Sequence, residues 1–350
     1  MLERRRRGRP GRLVRPLLLA CWCAVWAAPA SAGQTLDRVR QAGELSCGVV
    51  TEPDDYNKAD LHGALAPLGA EICKAVAVAA LGEHAKVALR PYPAELEAEA
   101  GLHNGEVELI VGVTPDATSV WRWQIWFGPA VFYDAQGFLV RPDAGAATLA
   151  QLAGKKVCFV EGTDNEKVLL ARTVARGIAV IPLPFQEEGE MEDGLAVGHC
   201  DAISADLSKL AQARANFPRQ LGDDIVLPDL LTLQPVAPAY RQGDAQWAAL
   251  VDWTIYVLIQ AEASGVTRAN VAVQRGSEDP VVQRLLGVDW AASRALGLAA
   301  HDWSARVISM VGNYGEIYDR TVGAHGTLGL PRGLNALWTD GGLLHPLPVQ

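Results

Sequence analysis

The order in which strand-like and helix-like segments follow one another constrains this chain more than any other feature. The apolar run KKVCFVE (155–161) leads into the turn GTDNE (162–166). KVLLARTVARG (167–177) then has helical spacing, and IAVIPLPF (178–185) is extended again. The same plan occurs earlier, in ELSCGVV, LGAEICKAVAVAAL, KVALRPY, AELEAEAGLHNG and VELIVGV, which together span 44–113. It occurs again in EMEDGLAVGHCDAISADLSKLAQARAN (190–216). Alternation of this kind gives an α/β fold, with parallel sheets covered by helices. Beyond DDIVLPDLLTLQPVAPAYRQG (223–243) the pattern is mostly helical to about Tyr318. The two halves of the alternating region share a coarse plan, which fits two similar α/β lobes.

The first residues set the compartment. MLERRRRGRPGRLVR is basic, PLLLACWCAVWAA is apolar but too short to span a bilayer, and ASA ends at Ala32. This is the order of a secretory signal peptide over 1–32, with a mature chain starting near Gly33. Residues 1–32 carry seven Arg and one Glu, so their loss takes the net charge from −9 to −15. Such a surface argues against nucleic acid and anionic membranes as partners. Cys21 and Cys23 leave with the signal, and Cys47, Cys73, Cys158 and Cys200 remain. Four cysteines in an oxidising compartment are either disulfides or buried thiols, and spacing alone leaves both open. They form no CxxC pair and no His has ligand spacing to them, so no metal is expected.

Catalytic signals are missing. There is no phosphate-binding Gly loop and no GxSxG elbow, so neither a nucleotide cofactor nor an esterase-type nucleophile is expected. The seven His are scattered, and the acids read as solvated helix faces. Of the ten Trp, Trp22 and Trp26 lie in the signal. Trp247, Trp253, Trp290, Trp303 and Trp338 fall in the helical tail, where core packing is expected.

Several separated stretches resemble one family. LDRVRQAGELSCGV, ICKAVAVAALGEHAKV, LHNGEVELI, FYDAQGFLV, GKKVCFVEGT, GHCDAISAD and LPDLLTLQPVAPAYRQGDAQW look like the periplasmic amino-acid-binding proteins of ABC transporters. The tail stretches WTIYVLIQAEASGVT, VQRLLG, VGNYGEIYDR and RGLNALWTDGG resemble the general L-amino-acid or glutamate/glutamine/aspartate/asparagine type, within solute-binding protein family 3. The resemblance implies a two-lobed type II periplasmic-binding-protein fold with a helical C-terminal extension. Lobe 1 would hold 36–137 and 236–350, and lobe 2 would hold 138–235. Crossovers are expected near Gln136–Val140 and Leu233–Ala237, with the lobes closing on ligand by a hinge. It also implies a monomer, an amino acid or amine as ligand, an ABC permease as partner, and no enzymatic activity or cofactor. Pairs within single lobes would be Cys47–Cys73 and Cys158–Cys200.

The ligand clamp is where the sequence departs from the family pattern. Counted without gaps from GEVELI, the Arg that holds a ligand carboxylate falls on Val120, and the polar positions before it fall on Val113, Pro115 and Ala117. Thr114, Thr118, Ser119 and Arg122 are off register, and a local shift would bring Thr114, Thr118 and Arg122 into the site. Tyr56 falls where an aromatic covers the ligand. Asp206 falls on the carboxylate that pairs with the ligand ammonium, with a helix N-cap as its plain structural role. Gly162 and Thr163 match the turn whose N–H groups receive the ligand carboxylate, and Asp164 replaces the usual Thr there. Asp164 is expected to cap the helix from Asn165, worth roughly 0.5–2 kcal/mol, and to form a negative wall of the cleft. Asp164 and Asp206 without a certain Arg favour a cationic or polyamine-like ligand. The alternative is a binding-protein scaffold that has lost its solute and serves a periplasmic protein partner.

Overall fold

A computed structural model describes residues 33–51, 63–216, 225–287, 293–294, 296–298 and 300–348. The first sheet is built from β1 (Leu45–Val50), β2 (Val87–Tyr92), β3 (Leu109–Val113), β4 (Ile125–Phe127) and β5 (Phe132–Asp134). The second holds β6 (Gln136–Val140), β7 (Lys156–Val160), β8 (Ile181–Phe185), β9 (Ala202–Asp206) and β10 (Ile225–Val226), and β11 (Gln234–Arg241) returns to the first. The first sheet runs β2-β1-β3-β11-β4, with β5 also on β11; the second runs β10-β6-β9-β7-β8. β1 lies parallel to β2 and β3, and β7 lies parallel to β8 and β9.

The sheets are mixed, where alternation alone implied parallel ones. β11 runs antiparallel to β3, β4 and β5, and β6 runs antiparallel to β9 and β10. These strands flank the two passages between sheets. The chain enters each of them directly from the other sheet, without the covering helix that makes a neighbour parallel. One passage is Ala135, between β5 and β6; the other joins β10 to β11. Gln136–Val140 is wholly a strand of the second sheet.

The helices are α1 (Gln34–Ala42), α2 (Ala66–Leu81), α3 (Glu95–Asn104), α4 (Ala117–Trp123), α5 (Asp164–Ala175), α6 (Glu188–Ala196) and α7 (Leu207–Asn216). The C-terminal part adds α8 (Ala245–Ala263), α9 (Val271–Gln274), α10 (Pro280–Leu285), α11 (Trp303–Val311) and α12 (Tyr314–Thr321). α2 is buried on nearly every side, not along one stripe, because α8, α11 and α12 cover the side turned away from the sheet. Trp247 and Trp303 are buried in this layer, whereas Trp338 is 64% exposed; Trp290 lies outside the described residues. β8 carries Pro182 and Pro184, which a sheet tolerates at its edge, where their missing N–H groups break no ladder.

Cys47 pairs with Cys73 and Cys158 with Cys200, at Cα–Cα distances of 6.1 and 5.9 Å. Each bridge ties a strand to the segment that covers it: β1 to α2, and β7 to the turn between α6 and β9. Among the described residues no helix is long and apolar enough to cross a membrane.

Candidate functional site

Both sheets have the same switch in strand order. From β1 the chain moves to β2 on one side and then to β3 on the other; β7, β8 and β9 repeat this. Loops at the carboxyl ends of strands on the two sides of such a switch diverge and leave a crevice, the usual ligand position in open α/β sheets. In the first sheet these ends lead to Glu95, which opens α3, and to Thr114 after β3. In the second they lead to Gly162–Asn165 after β7 and to Asp206, which closes β9.

On the first side, Glu95 accepts hydrogen bonds from the Thr114 N–H at 3.1 Å and its hydroxyl at 3.2 Å. Burial raises the Glu95 carboxyl above the ordinary range, the Thr114 bonds oppose this, and the charges of Asp206 and Asp116 add to it. Asp116 caps α4 by accepting from the N–H groups of Thr118 and Ser119, at 2.7 and 3.0 Å. The Ser119 hydroxyl donates to buried Glu99 at 2.8 Å. Glu99 is also raised, first by burial. Arg122 is exposed in the last turn of α4, and among the described residues it joins no ion pair. Thr118 is exposed as well. The structure thus brings Thr114 and Ser119 to the acids, and leaves Thr118 and Arg122 exposed on a seven-residue helix. Tyr56 lies outside the described residues.

On the second side the GTDNE turn is organised differently from expectation. Gly162 has φ 76°, a left-handed conformation that Gly adopts without penalty. Thr163, not Asp164, is the N-cap: its hydroxyl oxygen accepts from the Glu166 N–H at 3.2 Å and donates to the Val160 carbonyl at 2.7 Å. Glu166 reaches back to accept from the Gly162 N–H at 2.7 Å. Asp164 is already in the first turn, where its side chain projects outward. It is 90% exposed and pairs with Lys167 at 2.7 Å. The expected cap by Asp164 is therefore corrected. Of the N–H groups in the turn, that of Gly162 is taken by Glu166.

Asp206 accepts from the Asn165 side-chain amide at 3.2 Å. Burial raises its carboxyl, Lys209 and the Asn165 bond oppose this, and Glu188 adds to it. Lys209 is itself ion-paired with Glu188. Directly opposite Asp206 in the β6–β9 ladder stands Gln136, fully buried. Its Nε2 donates to the Asn165 carbonyl at 2.8 Å and to the Ser204 hydroxyl at 3.0 Å, while its Oε1 has no hydrogen-bond partner. At the passage between sheets, Asp134 is 4% exposed and accepts from Ala135 N–H, Ser208 N–H and Ser208 Oγ at 2.8, 3.2 and 2.5 Å. Its carboxyl is pushed up to about 6 by burial and by the charge of Asp206.

The charge of Asp206 thus reaches both Glu95 and Asp134, and among the described residues Glu95, Glu99, Asp116, Asp134 and Asp206 form no ion pair with an Arg. Sequence reading missed Glu95, Asp134 and Gln136. Glu95 sits among other acids on what reads as a solvated face, and only the strand order brings it opposite Asp206. No group of acids, His or Cys among the described residues has the geometry of a metal site.

No protein-family model matches the chain. It is 34% identical over 334 residues to the glutamate/glutamine/aspartate/asparagine-binding protein BztA of Rhodobacter capsulatus, covering 93% of this chain and 96% of that one. It is 36% identical over 346 residues to the general L-amino acid-binding periplasmic protein AapJ of Rhizobium johnstonii, covering 95% and 98%. Among solved structures it is 33% identical to an ABC-transporter periplasmic binding protein from Brucella ovis with glutathione bound. The TM-score is 0.76, and coverage is 90% of this chain and 99% of that one.

Proposed function

The chain belongs to the amino-acid-binding periplasmic proteins of ABC transporters, and from that premise we propose that it delivers a cationic amino acid or amine to an ABC permease. Export through residues 1–32 and a monomeric binding step belong to the same reading. The observation that carries it is a carboxyl at the strand ends of each lobe, Glu95 on the first and Asp206 on the second, each raised by burial and neither paired with an Arg among the described residues. A buried carboxylate without a cation is costly, and a ligand that brings the cation recovers that cost on binding.

In this reading Asp206, held by Asn165, receives the ligand ammonium. The N–H groups of Thr163 and Asp164 at the start of α5 receive a carboxylate where the ligand has one. Thr114 orients Glu95, Tyr56 covers the ligand, and Arg122 and Thr118 have no direct part. Glutamate and glutathione carry net negative charge and are disfavoured here, although relatives are named for acidic amino acids or hold glutathione. The protein-partner alternative lacks a comparable observation.

Calorimetry on the secreted chain tests the proposal with lysine, arginine, ornithine, 1,4-diaminobutane, glutamate, glutamine and glutathione. Binding of one or more of the cationic compounds, with glutamate and glutathione much weaker or silent, is expected. Tight binding of glutamate, glutamine or glutathione with no response to any cation would overturn it.

A further inference from the structure

Gln136 is the first residue of β6, directly after the passage at Ala135, and its side chain is fully buried. Its backbone N–H donates to the Thr232 hydroxyl at 2.9 Å, and its carbonyl accepts from the Leu231 N–H at 2.8 Å, so it is tied to the second passage as well. Its side chain joins a strand end to a helix start. The Ser204 hydroxyl donates to the Gly137 carbonyl at 3.0 Å, so towards Gln136 it accepts, and the Asn165 carbonyl can only accept. Both partners require N–H groups. This places Nε2 at 2.8 Å from Asn165 and 3.0 Å from Ser204, and leaves Oε1 buried with no donor among the described residues. Asn165 in turn donates its side-chain amide to Asp206 at 3.2 Å. One buried amide therefore pins Ser204, two residues before Asp206 on β9, and Asn165, in the same turn as the N–H groups of Thr163 and Asp164. A buried acceptor without a donor costs stability, and an apolar side chain of equal length would avoid that cost. Holding these two segments is what the amide does that such a side chain cannot.

From this chain of contacts we infer that Gln136 is a positioning residue for ligand recognition: it holds the start of α5 and the end of β9 at a fixed spacing, so that the α-carboxylate and α-ammonium of one ligand are received together. The inference rests on the roles proposed for Asp206 and α5 and deepens them, because it makes an α-amino acid, not a plain amine, the preferred ligand. A ligand with both groups gains from two anchors only while their spacing is already set, since ordering them on binding would offset the gain. A plain amine uses Asp206 alone and gains nothing from the spacing.

The test applies calorimetry and melting curves to the wild type, Gln136→Met, Asn165→Ala and the double variant, with L-lysine and with 1,5-diaminopentane, which is lysine without its carboxylate. Met keeps the length of the side chain and removes the amide. Gln136→Met should melt no lower than the wild type, weaken lysine by about tenfold or more, and leave 1,5-diaminopentane within about twofold, as expected when one charge-assisted anchor is misplaced. Asn165→Ala should weaken lysine, and the double variant should lose little more than the weaker single one, because both residues act through one chain of contacts. Unchanged lysine binding in Gln136→Met, or equal loss of both ligands, overturns the role of Gln136 and leaves the cationic ligand standing. So does a wild type that binds 1,5-diaminopentane but not lysine. Gln136→Leu replaces the Met variant if that does not fold, and failure of both to fold makes the amide structural and overturns the role. A wild type that binds L-glutamine and neither lysine nor 1,5-diaminopentane overturns the cationic reading alone, and the same variants then test Gln136 with glutamine against 4-aminobutanamide. Binding of none of these compounds overturns both.

Discussion

The clearest change of role at the level of single residues concerns Thr163 and Asp164. The motif GTDNE offers two adjacent oxygens to cap α5, and the sequence alone favoured the charged one. The structure uses Thr163 because Gly162 turns the chain one residue earlier, which puts Asp164 inside the first turn. Thr163→Ala should therefore cost about 0.5–2 kcal/mol of stability. Asp164→Ala, which loses an exposed i,i+3 pair, should cost no more than about 0.5 kcal/mol. Urea denaturation of the two variants decides between them, and a larger loss in the Asp164 variant would restore it as the cap. Asp134 gives a second expectation. Its carboxyl is pushed up to about 6 in the fold, against about 3.9 for an unfolded Asp. The folded state therefore holds this proton more tightly, so the contribution of Asp134 to stability is fullest below about pH 4 and is lost as pH rises to about 6. Asp134→Asn removes that slope. Relative to wild type it should gain up to about 3 kcal/mol between pH 4 and pH 7, read from melting curves at both values. An unchanged difference across that range would show that Asp134 is ionised throughout. Both expectations rest on what sequence reading could and could not see. Asp206 and Thr163 stand in recognisable strand-end motifs, whereas Asp134 is one acid in FYDAQ whose burial depends on Ser208, 74 residues away.

At the scale of elements, the alternation of strands and helices was legible because each has its own apolar period. The direction of β6 and β11 was not, since antiparallel entry follows from where the chain crosses and leaves no local mark. α2 shows the same limit. Its residues are apolar nearly all round, which only the covering C-terminal helices explain. Those helices also support the passage between the lobes. Asn335 accepts from the Tyr133 N–H at 2.6 Å and donates to the Tyr133 carbonyl at 3.0 Å, and Tyr314 donates to the Val131 carbonyl at 2.6 Å. Arg332 lies over the rings of Tyr314 and Tyr318 and pairs with Glu262, which fixes the segment that carries Asn335. The resemblance, not the residues themselves, pointed to which cysteines pair. The two bridges close loops of 26 and 42 residues. By loop entropy alone, removing them should cost about 3.5 and about 4 kcal/mol respectively, the second lobe losing slightly more. Replacing each pair by Ser and following denaturant unfolding measures this. Two nearly wild-type variants would mean that residual structure in the unfolded chain already keeps these segments together.

On the scale of the whole molecule, charge and hinge meet at one place. The chain without residues 1–32 carries a net charge of −15, and the charge of Asp206 in the second lobe raises the Glu95 carboxyl in the first. Glu95 and Asp206 stand on opposite lobes, and Asp134 lies at the passage the lobes share, where the charge of Asp206 also reaches it. Self-repulsion of this kind favours the open arrangement, and salt weakens it over a screening length of about 10 Å at 0.1 M. Without ligand, the radius of gyration from small-angle scattering should therefore fall as NaCl rises from about 20 mM to about 500 mM, well past the ionic strength at which such charges are screened. A bound cationic ligand should produce the same compaction at low salt, because it neutralises part of the same charge directly. In Glu95→Gln the low-salt molecule should already be more compact than wild type, and salt should change it less. A radius that ignores salt in both proteins would show that the spacing of the lobes is set by packing at Ala135 and around β11, not by the carboxylates.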